Sequence, residues 1–127
     1  MPFLLIYVTH PSKPEAAKIT ADLLSKRLIA CANYIPVSSV YMWEGFPTNT
    51  DEIVTIYKTR PENWEIIKTT IEWLHKYDIP CIMKLPLVDA NAAYEKWIYD
   101  ETMPEKNWDT PSTEADNFKT LFPSNNQ

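Results

Sequence analysis

A chain of 127 residues with 45% apolar and 23% charged side chains has the length and composition of one globular domain. Its net charge of −5 and pI near 5.0 argue against a nucleic-acid-binding protein, which usually presents a basic face. It has one glycine, and this excludes a Walker loop or a dinucleotide-binding fingerprint, since both need several glycines at fixed spacing.

The chain also lacks signals for membranes or disulfide scaffolds. No apolar run approaches the ~18 residues that cross a bilayer, and the first residues lack the basic region of a signal peptide. Cys31 and Cys81 are too few for a disulfide framework, which fits a reducing compartment. These features predict a cytoplasmic protein with no membrane or nucleic-acid partner.

The first predicted elements are a strand and a helix. Residues 3–9 form a nearly continuous apolar run, typical of a central strand buried on both faces. Ser12, Pro14 and Glu15 then make a capping box that begins a helix over about residues 13–29. Its apolar stripe is interrupted by polar residues and comprises Ala16, Ile19, Leu23, Leu24 and Leu28.

An unusually long hairpin follows between residues 28 and 60. Two runs rich in β-branched and aromatic residues flank a break around Gly45, Pro47 and Asn49, which predicts the turn. Pro36 cannot donate a ladder hydrogen bond, so it predicts a bulge or an edge position. Both arms exceed the usual five or six residues, so the outer half needs a partner surface.

Three further elements complete the predicted domain. A helix begins near Pro61 and ends near His75, a strand covers residues 81–88, and Asn91 caps a third helix through about Thr102. This order predicts an α+β fold, a ferredoxin-like β-α-β-β-α-β sandwich with an extended hairpin and an additional C-terminal helix. We assign residues 1–103 to this domain and residues 104–127 to a polar extension, with a possible short helix.

The predicted topology brings chemically active side chains to one pole. The end of strand one, the end of helix two and the start of strand four meet there, which gathers His10, His75 and Cys81. Imidazole and thiolate ligands suit copper or another borderline metal, although no familiar ligand spacing is present. The alternative is that both histidines cap ends of elements and that Cys81 packs as a small hydrophobe.

Two other functional interpretations concern the same region and the sheet. Cys81 and His75 could form a nucleophilic pair oriented by Asp78, but the scarcity of glycine disfavours an oxyanion hole. Lys58 lies in an otherwise apolar strand and could hold an anionic ligand with Tyr77 and Trp97, or it could be a snorkelling or salt-bridged lysine.

Several motifs together resemble the CutA divalent-cation-tolerance family. These are the Leu28–Asn33 run, Ile35-Pro36, Ser39–Gly45, Lys58-Thr59-Arg60, His75–Pro80 and Tyr94–Ile98, in order and at matching spacing over about residues 3–100. The resemblance implies a ferredoxin-like, non-enzymatic subunit of a homotrimer whose long hairpins pair between subunits, which makes Tyr41 and Trp43 interface residues. It also implies a role in tolerance of copper and other divalent cations. No cofactor is expected to be required, although copper or another divalent cation could bind.

The chain departs from this family at its suggested copper ligands. Lys76, Asp78 and Cys81 stand where the family usually has proline, glutamate and glutamate, and Val8 replaces a cysteine of some members. Of those ligands, His75 alone carries over. Our hypothesis is that Cys81 and His10 replace the missing ones. The alternative function is a trimeric sensor that binds a small anionic ligand in clefts between subunits.

Overall fold

A computed structural model describes residues 2–86 and 89–104 of the chain. Its four strands are β1 (Leu4–His10), β2 (Cys31–Trp43), β3 (Phe46–Thr59) and β4 (Ile82–Pro86). Its helices are α1 (Lys13–Ser25), α2 (Trp64–Leu74), preceded by one 3₁₀ turn (Pro61–Asn63), and α3 (Ala92–Glu101). Of the predicted polar extension, residues 104–127, all but residue 104 lie outside the described residues.

The strands form one antiparallel sheet in the order β2-β3-β1-β4. This is the predicted ferredoxin-like arrangement, with β1 in a central position. Helices α1 and α2 cover one face, where Ile6, Val8 and Tyr57 of the sheet pack with helix residues. The helix residues of this core are Ile19, Leu23, Ile67 and Ile71.

Helix α1 ends earlier than the predicted residue 29. Its N-terminus is the predicted one, where Ser12 Oγ accepts a hydrogen bond from the Glu15 N–H at 3.3 Å. At its other end Arg27 adopts φ 57°, and the Leu28 N–H reaches back to the Leu23 carbonyl at 2.9 Å. This Schellman motif stops the helix without a glycine, and it turns Leu28 into the core.

The second strand of the hairpin begins earlier than predicted, and the turn is tighter. Glu44 and Gly45 alone connect the strands, both with positive φ (50° and 85°), which is the geometry of a type I′ turn. Pro47 and Asn49 are therefore strand residues rather than turn residues, opposite Met42 and Val40. The resulting strands have 13 and 14 residues.

The outer half of the hairpin extends past the rest of the sheet. Strand β3 pairs with β1 only from Ile53 to Thr59, whereas its pairing with β2 continues without interruption to Phe46. Pro36 pairs opposite Ile53 on the edge strand, so the edge position, not a bulge, accommodates it. The hairpin thus projects as predicted.

The second face of the sheet is mostly uncovered in the subunit. Alternation along the strands directs Leu5, Tyr7, Ile56, Ile35, Met83 and Leu85 to it. Helix α3 covers only one end, where Tyr94 meets Phe3 edge-on with ring centroids 6.0 Å apart. We call the remainder the open face.

Candidate functional site

The candidate site lies where β1 ends and β4 approaches its start. Because β1 and β4 are antiparallel, with Val8 opposite Ile82, the end of one strand adjoins the beginning of the other. The connection from α2, residues 75–81, passes over the same end of the sheet. His10, His75 and Cys81 are thereby brought to one pole, as the sequence predicts.

His10 is completely buried beneath this pole. Its Nε2 lies 2.9 Å from the Thr55 hydroxyl, while its Nδ1 is buried without a hydrogen-bond partner. Burial lowers the pKa of His10 from 6.5 to about 4, and the neighbouring His75 adds to this effect. His10 is therefore a neutral imidazole at physiological pH.

His75 fastens the connecting segment to the sheet. Its Nε2 lies 2.8 Å from the Thr9 carbonyl, which can only accept, so Nε2 carries the proton. Its Nδ1 then accepts the Tyr77 backbone N–H at 3.0 Å. Both ring nitrogens are occupied, which leaves no lone pair of His75 for a metal ion or for deprotonating a thiol.

Cys81 is a half-buried thiol with a raised pKa. Burial raises the pKa, and the negative charge of Glu52 raises it further. A reactive or soft-metal-binding cysteine needs the thiolate, which this environment disfavours. The hypothetical Cys81–His75 nucleophilic pair therefore has neither an activated thiol nor an available base.

A cleft of about 550 Å³ opens beside these residues on the open face. Tyr41 and Trp43 of the hairpin form one wall, and residues of the connecting segment form the other. The described lining residues are Thr9, Tyr41, Trp43, Glu52, Lys76, Tyr77, Asp78, Ile79 and Cys81. Both predicted interface aromatics thus face a cavity of their own subunit.

Glu52 and Tyr77 form the polar base of this cleft. The Tyr77 hydroxyl donates to Glu52 Oε2 at 2.8 Å, and only 7% of Glu52 is exposed. Burial raises the pKa of Tyr77, as does its hydrogen bond to the Glu52 carboxylate. The tyrosine stays protonated and remains a donor to the carboxylate.

Most of the chain matches one known protein family. Residues 4–101 match the family model of the CutA1 divalent ion tolerance protein. The chain belongs to the CutA1 family.

Individual relatives agree with this membership. The Pyrococcus horikoshii divalent-cation tolerance protein CutA is 40% identical over 99 residues, covering 78% of this chain and 97% of that protein. The Oryza sativa CutA1 crystal structure has TM-score 0.78 at 32% identity, covering 81% of this chain and 95% of that chain. An Archaeoglobus fulgidus structure, named a periplasmic divalent cation tolerance protein, has TM-score 0.76 at 35% identity over 80% of this chain and 98% of that chain.

Lys58 and Trp97, two of the residues predicted to bind an anion in this CutA1 chain, lie at the opposite end of the sheet. Lys58 pairs with Leu5 and Cys31, and its Nζ lies 3.1 Å from the Tyr94 hydroxyl. The Tyr94 ring stacks on Trp97, with centroids 5.7 Å apart. Within one subunit this group does not include Tyr77, because Glu52 and Lys58 are six residues apart on β3, about 20 Å.

Sequence reasoning missed Glu52 and Tyr94 as site residues. Glu52 continues the alternating set of Val54, Ile56 and Lys58, so its phase placed it on the same face as those residues. A glutamate on the same strand face as Val54 and Ile56 was the signal in the sequence that could have identified this site. Tyr94 gave none, since its approach to Lys58 depends on how α3 returns to the sheet.

The predicted metal ligands His10 and His75 have engaged or buried ring nitrogens in this CutA1 subunit. The structure brings the two histidines together. Three of their four ring nitrogens have hydrogen-bond partners, and the fourth, His10 Nδ1, is buried. Among residues 2–86 and 89–104 there is no group of three or more His, Cys, Asp or Glu side chains arranged to hold a metal ion. In that same part of the chain, no helix is long and apolar enough to span a membrane.

Proposed function

We propose that this CutA1 protein acts as a non-enzymatic homotrimer in tolerance of, or response to, divalent cations, copper among them. The proposal rests on family membership together with the surface that a single subunit leaves uncovered. The neutral Cys81 thiol and the engaged His75 give no support to a catalytic alternative.

The observation that carries the proposed assembly is the apolar open face. A sheet covered by helices on one side usually needs a second layer on the other. Here Ile35, Met83 and Leu85 are each exposed by more than 40% in the isolated subunit. Copies of the chain that pack these faces around a threefold axis would bury them, and a closed ring leaves no unpaired surface.

The projecting hairpin gives independent support. Val40, Met42 and Phe46 are among the most exposed apolar side chains of the described residues, and β2 is an edge strand. Exposed edges of this length invite pairing with another chain. A neighbouring copy is the partner that the repeated hairpin of a trimer supplies.

Oligomeric state and metal content are tested together by native mass spectrometry with and without added copper. We expect a trimer mass for the wild type. Met83→Lys places a charge on the open face and should shift the protein towards monomer, while Trp73→Lys, on the exposed side of α2, should leave the trimer intact. A wild-type monomer at micromolar concentration contradicts the proposed assembly.

The copper component depends on the pole of Cys81, His75 and His10. A copper ion bound by Cys81 and His75 must displace the Tyr77 N–H from His75 Nδ1, so binding should perturb the Tyr77 amide resonance. Cys81→Ser should lower the affinity or stoichiometry, and Cys31→Ser is the matched control at the other pole. Copper binding that Cys81→Ser leaves unchanged would sink this ligand set.

A small anionic ligand is the second candidate, favoured by Lys58. This part-buried lysine donates to Tyr94 and has no carboxylate partner in the described part of the chain. A cation on a surface that assembly would cover is suited to an anion held between subunits. Anion-dependent thermal stabilisation that Lys58→Met abolishes would distinguish this function from metal tolerance.

For location we propose the cytoplasm. Both cysteines are free and lie at opposite ends of the sheet, as expected in a reducing compartment. Fractionation of cells that produce the protein tests this, and recovery with an exported fraction contradicts it.

A further inference from the structure

We propose that the cleft between the hairpin and the segment 75–81 is a binding site for an organic cation, a protonated amine on a short apolar stem. The cleft is built from one subunit's own residues and needs no metal ion. It opens on the face that the proposed trimer would cover, so the proposed site requires the cleft to remain accessible in that assembly. Its volume of about 550 Å³ lies within the range of small-molecule sites.

The first step concerns the charge at the base of the cleft. Glu52 is more than nine-tenths buried, and its one described side-chain hydrogen bond comes from the neutral Tyr77 hydroxyl. No Lys or Arg of the described residues forms a salt bridge with it. A buried carboxylate without a counter-charge is costly, because burial removes water that would otherwise solvate it.

The second step concerns the other charges around the cleft. Asp78 adds a second carboxylate at the exposed rim. Lys76 is the one cation among the described lining residues, and its Nζ lies 3.5 Å from Glu15 Oε2, outside the lining. The negative charge of Glu52 also helps to raise the pKa of Cys81, after the effect of burial. The cleft therefore favours cations over anions.

The third step concerns the walls. Tyr41 and Trp43 face the cleft from the hairpin while 39% and 43% exposed, and Tyr77 faces it from the opposite side. Aromatic faces attract ammonium and guanidinium groups, and tryptophan does so most strongly. Ile79 contributes an exposed apolar contact for the stem.

The same geometry favours an amine over a metal ion. A divalent cation needs several oxygen, nitrogen or sulfur ligands, and no group of three His, Cys, Asp or Glu side chains that could hold one occurs in the described part of the chain. An ammonium group needs one carboxylate to accept its N–H groups, together with aromatic faces around its stem. Glu52, Trp43 and Tyr41 supply that combination.

An NMR titration of the full-length protein with n-butylammonium chloride tests the proposal. Butan-1-ol is the neutral control, and potassium chloride controls for ionic strength. We expect saturable shifts in the millimolar range that centre on the Trp43 indole N–H and the Tyr77 amide. Glu52→Gln should weaken binding roughly 10- to 100-fold, the range for loss of a charge-assisted hydrogen bond.

Two further variants separate the site from general effects. Trp43→Leu removes an aromatic face and should weaken binding a few-fold without altering the buried core. Glu72→Gln removes an equal charge from the exposed side of α2 and should leave the affinity unchanged. Equal shifts with butan-1-ol, or unchanged affinity in Glu52→Gln, would overturn the proposal.

The cation could be a free amine or a lysine or arginine side chain of a second copy, and sedimentation velocity distinguishes them. If n-butylammonium binds and assembly is the same in wild type and Glu52→Gln, the site takes a free amine. If the probe fails to bind while Glu52→Gln loosens the assembly, a second copy supplies the cation. If the probe fails and assembly is unchanged, no cation is recognised there, whereas the trimer proposal stands or falls on the Met83→Lys result.

Discussion

His10 and His75 stack at the end of β1, with ring centroids 5.3 Å apart and planes inclined at 21°. One ring is fully buried and the other holds the connecting segment through both of its nitrogens. Burial lowers the pKa of His10 and the neighbouring His75 lowers it further, so His10 stays neutral at this position. The pole predicted as a metal site is thus also a structural joint between strand and loop.

The buried His10 predicts a loss of stability in mild acid. Its pKa is 6.5 in the unfolded chain and about 4 in the folded protein, so between these values the unfolded state binds the extra proton. The free energy of unfolding should therefore be fully maintained above pH 6.5 and fall as the pH drops towards 4, by about 3 kcal/mol at most. Urea unfolding across this range measures it.

His10→Gln provides the control for this pH dependence. Glutamine can still hydrogen-bond to Thr55 but does not titrate, so the difference between the two proteins isolates His10. The variant should show a smaller loss between pH 6.5 and 4. If the free energy of unfolding falls equally with pH in wild type and variant, groups other than His10 cause the acid sensitivity.

The chain order of elements and the sheet topology could be predicted because hydrophobic periodicity and capping act locally. Ser12 and Asn91 mark the starts of α1 and α3, and alternation in β3 separates its two faces. The end of α1 could not be predicted in this way. Arg27 adopts a left-handed conformation that glycine usually provides, and the buried Leu28 stabilises it through tertiary packing.

The site was predicted in position but not in chemistry. Antiparallel connections determine which strand ends meet, so the gathering of His10, His75 and Cys81 followed from topology alone. Whether each imidazole nitrogen is free depends on backbone partners such as the Thr9 carbonyl, which no spacing reveals. Glu52 and Tyr77 join across 25 residues, beyond any local pattern.

Thr20 and Tyr57 form a buried hydroxyl pair that predicts energetic coupling. Their oxygens lie 3.1 Å apart inside the core, and burial raises the pKa of Tyr57 to about 12. Tyr57→Phe and Thr20→Val should each lower the free energy of unfolding by about 1–2 kcal/mol, since each leaves a buried partner unsatisfied.

A double-mutant cycle tests this pair. The combined variant removes both polar groups, so its loss should be smaller than the sum of the single losses by about 1 kcal/mol. Chemical unfolding at pH 7 measures all four proteins. Strict additivity would show that the two hydroxyl groups do not stabilise each other.

The hairpin turn predicts opposite effects for two substitutions at adjacent positions. Gly45 has φ 85° with no atom near an added Cβ, so Gly45→Ala introduces backbone strain without a steric clash. Glu44, at φ 50°, is strained already, and Glu44→Asn should relieve part of that strain because asparagine tolerates this region.

Hydrogen exchange at the hairpin tip provides the measurement, since the outer half can open without global unfolding. The amide of Tyr41, which lies in a hydrogen-bonded pair with Thr48, should lose protection several-fold in Gly45→Ala and gain it in Glu44→Asn. Core amides such as that of Ile6 serve as the internal control and should be unchanged. Equal protection in all three proteins would contradict a type I′ turn.

We expect the stability of the C-terminal end of α3 to depend on the guanidinium group of Arg60 rather than on its positive charge alone. Its side chain donates to the Thr102 hydroxyl and carbonyl, both at 3.0 Å, and to the Tyr99 carbonyl. It thereby satisfies carbonyl groups that a helix leaves unpaired at its C-terminus. A lysine there keeps the charge but loses the planar arrangement of donors.

Arg60→Lys should therefore lower the free energy of unfolding by about 1–3 kcal/mol, because two or more partly buried hydrogen bonds are lost. Arg27→Lys is the matched control, since Arg27 donates a single exposed hydrogen bond to the Asp100 carbonyl at 2.8 Å. That change should cost less than about 1 kcal/mol. Equal effects in denaturant unfolding would mean that charge near the helix end, rather than the geometry of Arg60, stabilises α3.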